Sequence, residues 1–177
     1  MRALGPGSVS SFLKVILDVF RFVLWIALAG VTVAMIAILL LSFDPTLLAG
    51  SIHLDRLNIE GPWIGPMAAA FLLAADLYLA AAIVVVGRLR SIFATLIAGD
   101  PFHPDNVRRL RVIGGALAVI ELGRYATAAL GHVIFHDRLH FEGSVSVSSW
   151  FAVLVVVVLA EVFREGARLR GEAELTI

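Results

Sequence analysis

No charged residue falls between Val23 and Leu41, and the only polar side chain in that run is Thr32. About 20 consecutive apolar residues suffice to carry a helix across the hydrocarbon core of a bilayer. Three further apolar blocks follow, from about Gly65 to Val86, Val112 to Ile134 and Ser149 to Phe163. Hydrophobic residues make up 60% of the 177 and charged residues 16%. A soluble domain of this length has too little interior to hide that much apolar surface. The predicted fold class is therefore all-α integral membrane, a four-transmembrane-helix bundle formed by one domain over residues 1–177. Its spans are expected at about 20–42, 65–86, 112–134 and 149–165, with helical extensions beyond the membrane at 88–98, 104–111 and 164–170. The last span is rich in valine, which favours strands in water. A lone strand in lipid leaves its backbone unsatisfied, so a helix is required there. The first run is longer than the apolar core of a cleavable signal, about 7–15 residues, and reads as a retained anchor.

Two polar segments separate these blocks on one side. Ile52, Leu54, Leu57 and Ile59 alternate roughly with polar residues in the first, and Leu139, Phe141, Val145 and Val147 do so in the second. Period-two patterning of this kind predicts strands, and the pair is expected to form a small extracytoplasmic β cap. There is no cysteine, which excludes disulfides, thiol catalysis and Cys-based metal sites. The only lysine, Lys14, lies at a membrane edge, which excludes a mid-membrane Schiff base.

Charge position sets the orientation. Arg2, Lys14, Arg21, Arg88, Arg90, Arg108, Arg109, Arg111, Arg164, Arg168 and Arg170 fall on one side of the four spans, against Arg56 and Arg138 on the other. The bias of Lys and Arg toward the cytoplasm predicts that both termini and the 87–111 connection are cytoplasmic.

That connection, Gly99 to Gly114, is GDPFHPDNVRRLRVIG. Gly99 suits the left-handed position that closes a helix. Asp100-Pro101 makes a turn, and Pro104 fits the first position of the next helix, where its missing N–H costs nothing. His103 is then the N-cap, Asp105 and Asn106 sit in the first turn, and Phe102 and Val107 are placed for a hydrophobic staple.

The chain resembles a family of bacterial four-helix membrane proteins catalogued as a domain of unknown function. The resemblance rests on a G-x-P-F-x-x-x-N-x-x-R-L-R-x-I-G motif, present as Gly99, Pro101, Phe102, Asn106, Arg109, Leu110, Arg111, Ile113 and Gly114. It rests also on the last helix, through Leu159, Glu161, Val162, Phe163, Gly166 and Leu169, and on the closing ELTI. His103 departs from the Ser or Thr common at that position in the family. The resemblance implies no agreed activity. Members are often encoded beside a small helix-turn-helix regulator of the Cro/C1 type, which implies a membrane-bound partner for a transcription factor.

Asp76, Glu121 and Arg124 stand inside the spans, where unpaired charge is costly and normally faces the bundle interior. Rise per residue places Asp76 and Arg124 at similar depth, and Glu121 and Arg124 share a helix face. The set reads either as an ion pair locking the second and third helices or as a proton or ion site. His132, His136 and His140 recur every four residues at the outer end of the third span and are weak metal candidates; no metal, cofactor or catalytic residue is assigned. The arginines lie close to the bilayer without interleaved aromatics, which argues against direct nucleic-acid binding and for anionic lipid. The expected function is that of a membrane-anchored regulatory or interaction protein of the bacterial inner membrane and not an enzyme. It is expected to dock a helix-turn-helix regulator through the Phe102 turn, the Arg108–Arg111 cluster and the ELTI tail. A small oligomeric transporter, or an ion- or proton-coupled protein using the intramembrane charges, is the alternative, and a homo-oligomer fits either.

Overall fold

The computed structural model describes residues 9–42, 64–135 and 146–174. These form four helices, α1 (Val9–Ser42), α2 (Ile64–Ile97), α3 (Pro104–Phe135) and α4 (Val147–Glu174), with no strand among the described residues. All four are long and apolar enough to cross a membrane. The fold class read from the sequence, an all-α four-helix membrane protein, is the one observed. At 1.5 Å per residue, α1 and α2 are each about 50 Å long, well beyond a hydrocarbon core of about 30 Å. The expected extension of the second helix is thus simply its uninterrupted continuation to Ile97.

The described residues fall into two compact units. One comprises α1 up to Leu24 and the chain from Ala81 onward, and the other is Trp25–Ala80. In the first, α3 and α4 are the closest-packed helices. Ile92, Leu110, Ile113 and Ala160 make its buried core, with Val85, Leu89, Leu96, Leu117, Val156 and Phe163 packed around them. The stripe on α2 and the first two turns of α3 therefore bury each other against α4. Gly114 lets the helices approach: a Cβ there would already touch the side chains of Val156 and Val157. Elsewhere the large apolar side chains point outward, Phe22, Trp25 and Leu40 on α1 and Phe151 and Leu154 on α4 among them. Water would not tolerate that surface; the acyl chains of a bilayer solvate it.

One strand assignment is corrected. Val147, placed in the second strand pattern, opens α4. Ser146 accounts for this. Its Oγ accepts the Ser149 N–H at 3.2 Å, an N-cap bond that starts the helix at the next residue. The rest of the proposed cap, near 52–59 and 139–145, lies outside the described residues. At the other end α4 continues past the expected 170 to Glu174.

Candidate functional site

The turn between α2 and α3 is built by local rules. Gly99 has φ +82°, the left-handed conformation that L side chains avoid. Its N–H bonds the Leu96 carbonyl at 3.1 Å, and the Asp100 N–H bonds the Thr95 carbonyl at 3.0 Å. The two bonds together are a Schellman closure of α2. Pro104 then starts α3, and Nδ1 of His103 accepts the Asp105 N–H at 3.2 Å as an N-cap.

Side chains lock the turn to both helices. Asn106 is fully buried. Its amide nitrogen donates to Thr95 Oγ1 at 2.8 Å and to the Pro101 carbonyl at 3.0 Å. Its Oδ1 accepts from Arg109 Nη1 at 2.8 Å, and the same Nη1 reaches the Ser91 carbonyl at 3.1 Å. One amide thus ties the end of α2, the turn and the start of α3. Phe102, expected to staple onto Val107, turns toward α4, where its ring lies 5.7 Å from that of Phe163. Gly166 makes room for it: a Cβ at 166 would sit 2.6 Å from two ring carbons of Phe102. Arg170 pairs with Asp100 across the same junction. Of the motif residues, Gly99, Pro101, Phe102, Asn106 and Arg109 form this latch, while Leu110, Ile113 and Gly114 carry the buried seam beyond it. Arg111 faces outward toward Glu161, 3.9 Å away.

The family described as "Protein of unknown function (DUF2975)" matches residues 22–177. The chain belongs to that family. No curated protein and no solved structure matched it. For this member of DUF2975 the motif has a physical meaning as the polar joint between its second and third helices.

The intramembrane charges divide between the two units. Glu121 is buried, and its Oε1 accepts from Arg124 Nη2 at 2.6 Å and from the Tyr125 hydroxyl at 2.7 Å. Trp150 Nε1 donates to the same hydroxyl at 3.0 Å, which ties the network to the first turn of α4. The predicted i,i+3 pair is present, supported by Tyr125 one turn along α3 and by Trp150 of α4, which spacing on α3 did not reveal. The cue was available: Trp150 opens the fourth apolar block, and an indole N–H buried against lipid needs an acceptor. Asp76, in the other unit, has its Oδ2 within 2.9 Å of Thr32 Oγ1. Its Oδ1 is shielded and without a hydrogen-bond partner among the described residues. His136 and His140 lie outside the described residues, as does the side chain of His132. No group of acidic or histidine side chains among the described residues has metal-site geometry.

Proposed function

We propose that this membrane-anchored protein is a regulatory or scaffold protein of the bacterial inner membrane, not an enzyme. In this reading both termini are cytoplasmic, and the chain holds a soluble partner, a small helix-turn-helix regulator, at the arginine-rich end. The observation that carries the reading is the continuation of α4 beyond its apolar run as a helix from Arg164 to Glu174, braced by the latch at Gly166 and Arg170 and, just before it, at Phe163. Leu169 stays exposed on it among charged side chains. A rigid amphipathic segment with an unburied anchor is what a soluble partner can grip. Phe102 and Arg109 also brace the latch, Phe102 with part of its ring still exposed, and in this reading the docking face is the Phe102 turn, the Arg108–Arg111 cluster, Leu169 and the ELTI tail.

Capture of the tagged protein from native membranes tests this. Co-recovery of a helix-turn-helix protein, lost with Leu169→Ser in a chain that still folds, supports docking. Recovery of copies of the protein alone, with such a regulator co-expressed, counts against it. Alkaline phosphatase fused at residue 95 should be inactive and at residue 142 active; the reverse pattern refutes the orientation.

One observation favours a second reading, an ion- or proton-coupled protein. Thr32 Oγ1 lies 2.9 Å from both the Leu28 carbonyl and Asp76 Oδ2, one hydroxyl proton for two acceptors. Asp76 Oδ1 has no partner among the described residues. A carboxylate so placed has valences left for a proton or cation. Flux through sealed vesicles that is lost in Asp76→Asn would favour this reading over docking.

A further inference from the structure

The positive charge at the arginine-rich end is mostly consumed internally. Arg90 pairs with Asp18, Arg164 with Glu161, Arg168 with Glu165 and Arg170 with Asp100. Arg111 lies 3.9 Å from Glu161. Lys14 and Arg21 on α1, Arg88 on α2 and Arg108 on α3 have no such pairing among the described residues, and Arg88 and Arg108 stand together. Both are exposed, and neither has an ion-pair or hydrogen-bond partner among the described residues. They face one open groove whose other walls are Asp105, Arg109 and Val112. Asp105 is already shared between Arg109 at 3.9 Å and His103 Nδ1 at 3.8 Å. Arg109 is held in place by the Asn106 and Ser91 oxygens. The groove therefore carries three guanidinium groups against one carboxylate, with two of the three uncommitted.

Its depth is informative. Arg111 is the last charged residue before the uncharged run that opens at Val112, so the groove lies where headgroups meet acyl chains. Val112 supplies an apolar wall beneath the arginines. Guanidinium groups bind phosphate through paired N–H donors, and an arginine held in advance loses less freedom on binding.

We propose that the Arg88–Arg108 groove is a discrete site for a phosphodiester, filled by the headgroup of an anionic phospholipid. A headgroup bound there bridges α2 and α3 beside Arg109 of the latch, opposite in sign to the uncommitted arginines. A diffuse surface field would depend only on how many charges are present; a site depends on which ones.

The test uses the full-length protein in neutral detergent, with thermal unfolding midpoints and native mass spectra recorded as lipid is added. Phosphatidylglycerol should raise the midpoint and remain bound, while phosphatidylcholine at equal concentration should do markedly less. Arg88→Gln and Arg108→Gln should each weaken phosphatidylglycerol binding about tenfold, the loss of one charge-assisted contact. Arg21→Gln, which removes the same charge from α1, should weaken it less than about twofold. Lipid-free midpoints of the variants, matched to the parent, establish that they fold. Equal weakening by all three substitutions overturns the site in favour of a diffuse field. Protection by millimolar inorganic phosphate equal to that by phosphatidylglycerol overturns the lipid as occupant and leaves a soluble phosphate ligand.

Discussion

Asn106→Ala is the sharpest probe of the joint between α2 and α3. The side chain makes three hydrogen bonds at 2.8, 3.0 and 2.8 Å from a position with no exposure to solvent. The two neutral bonds are worth about 1 kcal/mol each and the one from Arg109 about 1.5–3 kcal/mol. Their loss strips the Pro101 carbonyl of its side-chain donor and leaves Arg109 with the Ser91 carbonyl and the more distant carboxylate of Asp105. Thr95 keeps its own bond to the Ile92 carbonyl at 2.7 Å. Water entering the vacated polar space recovers part of the sum, so the expected net loss is about 3–4 kcal/mol. Equilibrium unfolding in mixed micelles measures it. Asn106→Asp sharpens the reasoning, because it keeps an acceptor for Arg109 but puts a second oxygen against the Pro101 carbonyl. It should lose at least half as much as the alanine variant. A loss below about 1 kcal/mol for Asn106→Ala would refute the claim that this amide holds the turn.

Three further outcomes are expected in the same assay. Gly166→Ala should destabilise by about 1–3 kcal/mol, since the new methyl overlaps Phe102. Gly171→Ala, where a Cβ meets nothing within 4 Å, should stabilise by up to about 1 kcal/mol; the same sign at both sites would dismiss the Phe102 notch. Gly99→Ala should cost about 1 kcal/mol through its positive φ, and Gly99→Asn clearly less, because Asn tolerates the left-handed region. Glu121→Gln should cost clearly more than Tyr125→Phe, because the Glu121 carboxylate accepts from both Arg124 and the Tyr125 hydroxyl, whereas Tyr125→Phe removes only the hydroxyl contacts. If Tyr125→Phe costs as much as Glu121→Gln, the hydroxyl and not the ion pair organises that network.

Much of this molecule follows from sequence alone, for one physical reason. Lipid offers the backbone no hydrogen bonds, so each apolar run long enough to cross must be a helix, even the valine-rich run of α4. The Schellman closure at Gly99, the His103 cap and the start of α3 at Pro104 were equally legible, because caps depend on residues within a few positions of one another. The i,i+3 spacing of Glu121 and Arg124 likewise placed them on one helix face. What the tertiary structure alone decided is which side chains meet across helices. Phe102 was expected to pack locally on Val107 and instead fills the notch at Gly166, 64 residues further along the chain. Arg109 looked like surface charge and is held by Asn106 and a carbonyl of α2. Arg88 and Arg108 looked no different from Arg90 and Arg170, yet the last two are paired and the first two are not. Patterning assigns a residue to a face or a helix end through neighbours three or four positions away. The partner that face meets is set by packing between segments distant in sequence, which no local period encodes.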